Sequence, residues 1–290
     1  MTMNSVEFTL LTPTFACGVD QTQPELRVPT IKGQLRWWAR AILGNGKPEY
    51  DLFGGIKGKL NGYPGEDAVA GPFVFRLVAP RLPISQSALC PHDGSKGQRK
   101  ALQPRANAVF ELRWFSRLHS RAPMAAAPLR QIVDTWLLLG SVGCRSNRAA
   151  GSVWRAGYLP DLTSFERDVL ALQLPANLSV RVLGEPLRQP DDLRGVATDT
   201  LQGRPPQTGN IRGLVLGDVF GYVAGKERKA SPLKLKVGHF ADGYRLIAVF
   251  DLRPGRADAD QFHRAANSLK SAGKRLGKGL VAALQARPLR

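Results

Sequence analysis

The chain has 290 residues, 43% of them hydrophobic, which is enough for one large domain or for two smaller ones. Its 41 lysines and arginines exceed 23 acidic residues, and the formal net charge of +18 favours polyanionic partners, above all nucleic acid. No apolar run is long enough to span a membrane and no signal peptide is apparent, so we expect a cytoplasmic protein without a membrane partner. The three cysteines and four histidines show no metal-ligand spacing, so we expect neither a metal nor a cofactor.

The positive charge is unevenly spread along the chain. Residues 99–155 hold ten basic and two acidic residues, and residues 226–290 hold fifteen and five. Residues 156–225, between these blocks, hold six basic and eight acidic residues. This distribution predicts a defined basic surface, with the near-neutral segment as a candidate contact with another protein.

The first half of the chain predicts the order strand, helix, strand, strand, helix, strand. The strands are expected near 5–14, 71–80, 109–115 and 152–158, and the helices near 30–43 and 128–139. Segments 54–72 and 83–107 are rich in glycine, proline or serine and are expected to be loops, the second of them long and mobile. This order is the ferredoxin-like pattern, which RNA-recognition modules also use.

The second half restarts after Pro160 and predicts a further, degenerate unit of the same kind. Its elements are a helix at 163–173, strands at 178–183, 231–237 and 244–250, a loop at 184–213, a β-prone run at 214–225 and a helical tail from 257. We therefore expect an α+β protein of tandem ferredoxin-like (RRM-like) domains, at 1–159 and 160–290.

The helix near 30–43 has two distinct faces. Thr30 is the expected N-cap, and apolar residues recur at helical spacing at Ile31, Leu35, Trp38 and Ile42. This phase places Trp38 in the core and leaves Trp37 exposed. A second face carries Lys32, Arg36 and Arg40. With Thr30 as N-cap, Lys32 falls in the first turn, where the helix dipole disfavours a cation, which favours an anionic partner. A cationic face that is simply solvated is the alternative.

A glycine-rich loop lies between the second helix and the fourth strand. Gly140, Gly143 and Gly151 permit unusual backbone conformations and close approach of a ligand, and Arg145 and Arg148 add cationic donors. Backbone amides and guanidinium groups suit a phosphodiester chain. The loop lacks the ending of a nucleotide P-loop, and a plain helix C-cap and connector remains an alternative.

Four blocks together resemble a known family, the RAMP superfamily of CRISPR-associated proteins, and within it subunit one of the Cmr (type III-B) effector complex. The blocks are Leu11–Phe15 with Gly18, Pro24–Ala41 with Leu52–Gly55, the loop Gly140–Ser152, and Val219–Gly221 with Arg228–Leu233. The family's usual Ser-Ile-Arg-Gly is Thr30–Gly33 here, and its usual Arg-Arg-Gly-Phe-Gly is Asn147–Gly151. Lysine in place of arginine keeps the charge and loses the bidentate fork.

The resemblance implies tandem ferredoxin-like folds with a glycine-rich loop and no catalytic centre. It also implies antiviral defence within a ribonucleoprotein, whose partners are other Cas subunits, the 3′ region of the guide RNA and the target RNA. Carried over by position, the expected RNA-binding residues are Arg27, Lys32, Arg36, Trp37, Arg40, Gly140, Gly143, Arg145, Arg148 and Gly151. Sequence would be read by guide–target pairing, while the protein neutralises the RNA backbone.

Two alternatives stay open at this point. One is a RAMP-type endoribonuclease, which would need His92 or His119 as acid or base for guide-RNA processing, or Asp93 for cleavage of target RNA. The other is a free RNA-binding module, which predicts useful RNA affinity in isolation.

Overall fold

The structure is a computed structural model of the chain. It describes residues 3–44, 46–55, 69–89, 91, 97–117, 122–202, 222–224, 227–229 and 231–251. The expected helical tail from residue 257 and most of the β-prone run at 214–225 lie outside these residues.

The first half forms a four-stranded antiparallel sheet with helices on one face. Its elements are β1 (Met3–Leu10), α1 (Val28–Leu43), α2 (Lys47–Phe53), β2 (Gly54–Gly55), β3 (Val69–Ala70), β4 (Phe73–Val78), β5 (Ile84–Ala88), β6 (Gln98–Leu102), β7 (Phe110–Ser116), α3 (Ala122–Leu139) and β8 (Val153–Arg155). The strand order in the sheet is β4-β7-β1-β8, and each neighbouring pair is antiparallel.

The alternation of side chains along the strands explains why helices cover one face of this sheet. Phe8 on β1 and Phe110 and Leu112 on β7 are buried, whereas the intervening Glu7 and Glu111 are more exposed. Because successive side chains of a strand point to opposite faces, the apolar set lies on a single face. On α1, Ile31, Leu35 and Trp38 are all buried, as the helical spacing predicts.

The second half forms a smaller sheet. Its elements are α4 (Leu162–Ala171), β9 (Leu178–Leu187), α5 (Pro190–Gln202), β10 (Tyr222–Ala224), β11 (Glu227–Lys229), β12 (Leu233–Phe240) and β13 (Gly243–Asp251). Strands β12, β13 and β9 pair antiparallel in that order. Asp161 caps α4 by accepting a hydrogen bond of 2.7 Å from the Ser164 amide, so this helix begins with a side-chain cap.

One hydrophobic cluster runs through both halves. It extends from Phe8 on β1 to Phe250 on β13. At the junction, the Trp154 ring lies 6.0 Å from the Phe165 ring and 5.8 Å from the Phe240 ring, measured between centroids. A Cβ on Gly238 would lie only 2.9 Å from Trp154, so β12 approaches the first half closely at this glycine. The domain boundary after residue 159 stays a prediction.

Three expected loops contain regular structure. Segment 54–72 begins with β2 and includes β3, two short strands that pair antiparallel, so the prediction of a loop was wrong at both places. Strands β5 and β6 form an antiparallel hairpin inside 83–107, where the sequence predicted a long loop. Most residues of β5 are exposed, so neither face needs apolar side chains and the alternating signal is absent. Segment 184–213 holds the end of β9 and the helix α5, so the prediction of a loop was wrong there as well.

The expected start of α1 was also wrong. The N-cap is Arg27, and its side chain makes no capping hydrogen bond. Pro29 lies in the first turn, where amide hydrogens have no acceptor within the helix, so proline costs no hydrogen bond there. Lys32 is therefore the fifth residue of the helix and lies beyond its first turn. The helix dipole therefore gives no reason to expect an anionic partner for Lys32.

In the described part of the chain, none of the helices combines the length and apolar character needed to cross a bilayer.

Candidate nucleic-acid interface

Two of the predicted arginines on α1 are tied to α2. Arg36 donates to the carbonyl of Phe53 at 3.1 Å, to the carbonyl of Gly54 and to the Glu49 carboxylate at 3.3 Å. Arg40 donates to the same carboxylate at 2.8 Å. These contacts hold α2 against α1, so both arginines have a structural role. One glutamate between two guanidinium groups leaves this surface net positive.

Lys32 differs from its two helical neighbours in its surroundings. Its ammonium lies 5.8 Å from the centroid of the Phe75 ring and is half-buried. Burial lowers the pKa of Lys32, and repulsion from Arg36 and Arg117 lowers it further. Among the residues that the structure describes, no carboxylate lies within ion-pair distance of Lys32. Its charge is therefore available to an external anion.

Arg27 stands at the start of α1, where it forms an exposed ion pair of 3.4 Å with Glu25. Exposed pairs of this kind contribute about 0–1 kcal/mol, so an RNA phosphate could compete for Arg27.

Trp37 is half-buried, and Trp38 is buried as the helical phase predicts. The two rings meet edge to face, with centroids 4.8 Å apart. The Lys234 ammonium lies 4.0 Å from the centroid of the Trp37 ring. The plane predicted for base stacking is thus held by a cation from the second half of the chain.

The three glycines of the loop are explained by contacts within the protein. A Cβ on Gly151, whose φ is +60°, would lie 2.0 Å from the Val142 carbonyl oxygen. A Cβ on Gly143, whose φ is +82°, would lie 2.6 Å from the Phe15 carbonyl oxygen, and one on Gly140 would lie 2.3 Å from the Trp136 ring. These close approaches serve the fold of the loop. RNA contact at the three glycines stays a prediction.

The loop pairs directly with β12. The Leu235 amide donates to the Asn147 carbonyl at 3.1 Å, and the Ala149 amide donates to the Leu235 carbonyl at 2.8 Å. Arg148, between Asn147 and Ala149, forms the matching parallel bridge with Leu235 and is half-buried. Arg145, which lies before this pairing, has a φ of +61° and is exposed. Arg145 is therefore the better placed of the two loop arginines for an external phosphate.

Two lysines of β12 complete this arrangement, and the sequence reasoning assigned neither to the site. Lys234 donates to the Asn147 side-chain oxygen at 2.8 Å and so joins the loop to Trp37. Lys236 is fully buried, and its Nζ donates to the carbonyls of Leu137, Leu138 and Val153 at 3.3, 3.0 and 2.5 Å. The alternation of leucine and lysine in 233–236 was the available signal, because it places both lysines on one face of a strand.

Lys236 fixes the start of the loop. Leu137 and Leu138 lie in the last turn of α3, whose carbonyls have no partner within the helix. A cation at the C-terminal end of α3 also interacts favourably with the negative pole of the helix dipole. Gly140 follows directly, so the buried ammonium sets the direction in which the loop leaves α3.

A small pocket lies between α1, the loop and β12, next to Gln34 and Ser146. Its volume of 10 Å³ has room for about one water molecule. The pocket is therefore too small to hold a nucleotide.

The sequence profile of the RAMP superfamily matches residues 7–154, just over half of the chain. The chain belongs to the RAMP superfamily. The match includes α1, the glycine-rich loop and the whole four-stranded sheet except its first residues and Arg155. No protein of curated function matches the sequence.

The fold is similar to three solved structures of CRISPR proteins. Cmr1 from Pyrococcus furiosus aligns with a TM-score of 0.56 and 16% identity, over 92% of this chain and 97% of that one. A chain of the type III-B Cmr-beta bound to cognate target RNA and AMPPnP, with ssDNA present, gives 0.59 and 10%, over 97% and 98%. A chain of Cmr-beta bound to cognate target RNA gives 0.52 and 9%, over 93% and 99%. The resemblance inferred from the motifs is confirmed, and the likeness extends over nearly the whole fold.

The residues of the nuclease alternative, His92, Asp93 and His119, lie outside the described residues. Within the ranges that the structure describes, no three His, Cys, Asp or Glu side chains come together as a metal site.

Proposed function

We propose that the chain is a non-catalytic RNA-binding subunit of a type III CRISPR ribonucleoprotein effector complex, with other Cas subunits as partners. It would contact the guide RNA in its 3′ region, the target RNA, or both, in antiviral defence. One observation supports the proposal: in a RAMP protein, the Lys234 ammonium of β12 lies over the Trp37 ring of α1 and hydrogen-bonds to Asn147 of the glycine-rich loop, so these three elements meet at one surface.

This surface suits the backbone of a nucleic acid better than its base edges. The cations neutralise phosphates, and each neutralised phosphate releases counterions and makes binding depend on salt. An aromatic plane adds stacking worth about 1–3 kcal/mol per base, with little preference for sequence. Specificity would then come from guide–target pairing and not from the protein.

We further infer that the two sheets are tandem ferredoxin-like units. For the first, the supporting observation is the strand order β4-β7-β1-β8 with α1 and α3 as the two crossover helices. For the second, it is the sheet β12-β13-β9, with α4 before β9 and α5 between β9 and β12 along the chain.

Binding of the full chain to a labelled single-stranded RNA over a salt series tests the proposal. We expect affinity to fall steeply with salt. In Arg145→Glu we expect weaker binding and a slope smaller by about 0.7, the value for one phosphate contact on a single strand. Arg167→Glu is the matched control, because Arg167 is exposed on α4 and is not among the predicted contacts. A wild-type chain that binds no RNA, alone or assembled with its neighbouring subunits, would contradict the proposal.

The same samples test the nuclease alternative on a denaturing gel. We expect intact RNA with and without Mg²⁺. Metal-independent cleavage lost in His92→Ala or His119→Ala would favour guide-RNA processing, and metal-dependent cleavage lost in Asp93→Ala would favour target cleavage.

A further inference from the structure

Gly33 occupies a position in α1 where the fold itself does not require glycine. It is the sixth of the sixteen residues of this helix, and it is exposed. Glycine inside a helix is less favourable than alanine by roughly 0.5–1 kcal/mol. A glycine that destabilises its helix therefore needs a reason from packing or from function.

Packing against the described residues does not supply that reason. A Cβ added to Gly33 would meet no atom within 4 Å, and its backbone is in the ordinary negative-φ range. Two other glycines are required by packing: a Cβ on Gly71 would lie 2.6 Å from the Phe53 backbone, and one on Gly151 would lie 2.0 Å from Val142. The missing side chain of Gly33 leaves open space on the outside of α1.

The neighbours of that space are those expected for a phosphate chain. Lys32 precedes Gly33, and its charge is uncompensated by any carboxylate in the described part of the protein. One helical turn further lies Trp37, with the Lys234 ammonium over its ring. Residues i and i+4 of a helix lie one above the other, so Gly33 and Trp37 share a face. Cations therefore stand on both sides of a bare stretch of helix, beside a stacking plane.

We propose that the RNA backbone crosses α1 directly over Gly33, between Lys32 on one side and Trp37 with Lys234 on the other. This inference rests on the proposed function and names the point of closest contact within it. The absence of a side chain at Gly33 lets the sugar–phosphate chain lie against the helix backbone. Lys234 is the cation that β12 contributes to the same path.

Alanine at position 33 gives a test in which fold stability and RNA binding change in opposite directions. We expect Gly33→Ala to raise the midpoint of thermal unfolding and to weaken RNA binding about fivefold, which corresponds to ~1 kcal/mol. The longer side chain of Gly33→Gln is expected to weaken RNA binding further. Binding is measured with the full chain and the same labelled single-stranded RNA.

Gly195→Ala is the matched control. Gly195 lies inside α5, and the nearest atom to its added Cβ is the Pro91 Cβ at 3.9 Å. This variant should also raise thermal stability while its RNA affinity stays at the wild-type value.

Wild-type RNA affinity in both Gly33 variants would overturn the inference and leave the proposed function standing. It would favour a protein neighbour over RNA at this face of α1. A lower thermal midpoint in Gly33→Ala would overturn it as well, because the space over Gly33 would then serve the fold. A wild-type chain without RNA affinity would remove the proposed function and the inference together.

Discussion

Lys236 shows how a residue that looks like surface charge in the sequence can lie in the core. Burial lowers the pKa of Lys236 well below its ordinary value, and the ammonium lies 4.9 Å from the centroid of the Trp154 ring. Its three hydrogen bonds all go to main-chain carbonyls, two in the last turn of α3 and one in β8. A single side chain thus donates hydrogen bonds to the last carbonyls of α3 and also joins the two sheets.

Replacing Lys236 with methionine keeps the length of the side chain and removes the donor. We expect Lys236→Met to lower the free energy of unfolding by about 2–4 kcal/mol, since each buried acceptor left without a donor costs about 1–3 kcal/mol. Urea unfolding of the full chain measures this change. Lys100→Met, at an exposed lysine of β6, should stay within about 0.5 kcal/mol of wild type. Equal stability of Lys236→Met and wild type would show that these carbonyls do not depend on the ammonium.

The lowered pKa of Lys236 also has a consequence for pH. Between the folded pKa and the unfolded value of 10.5, the unfolded chain binds more protons than the folded chain. The free energy of unfolding therefore rises with pH in that window, because the cost of burying the charge is relieved. We expect the stability advantage of wild type over Lys236→Met to grow as the pH rises toward 10.5. Urea titrations of both proteins across this range measure it, and a constant difference would contradict it.

At the scale of elements, the glycine-rich loop is defined by its contacts with the strands around it. Gly151 has both a positive φ and a carbonyl oxygen where its Cβ would lie, whereas Gly157 has a φ of +70° and open space. Alanine at the two positions therefore separates backbone strain from a steric clash.

We expect Gly157→Ala to lower the free energy of unfolding by about 1–3 kcal/mol, the cost of a non-glycine residue in this conformation. Gly151→Ala should cost about 1–3 kcal/mol more, since overpacking adds to the strain. Chemical denaturation of both variants beside wild type measures the difference. Equal losses would mean that the loop yields around residue 151 at no cost.

The elements with a strong apolar period were predictable from the sequence, and those without it were not. The spacing of Ile31, Leu35 and Trp38 predicted α1, and the apolar run at 244–250 predicted β13, because both bury a continuous face. The β5–β6 hairpin was missed because its side chains are mostly exposed. Of the predicted site, the sequence named the cations of α1 and the loop. The alternation in 233–236 put Lys234 and Lys236 on one face of a strand, but it could not reveal the contact of Lys234 with Trp37, which forms only when the two halves of the chain pack together.

At the scale of the whole molecule, the two halves depend on each other. The Trp154 ring, at the end of the first half, is buried by Phe165 and Phe240 from the second. Removing residues 160–290 would expose this ring and leave the α3 carbonyls without Lys236.

We expect a fragment of residues 1–159 to lack cooperative thermal unfolding and to regain it when residues 160–290 are co-expressed. Near-ultraviolet circular dichroism during a thermal scan measures this, with the full chain as control. A fragment that unfolds cooperatively by itself would show that the first half is an independent folding unit.

The pairing of the loop with β12 also bears on aggregation. Strand β12 stands at one edge of its three-stranded sheet, and an uncovered edge can pair with a strand of another molecule. The stretch Asn147–Ala149 covers part of that edge by sharing hydrogen bonds with Leu235. Deleting the loop would thus uncover an edge that invites intermolecular pairing, whatever it did to RNA.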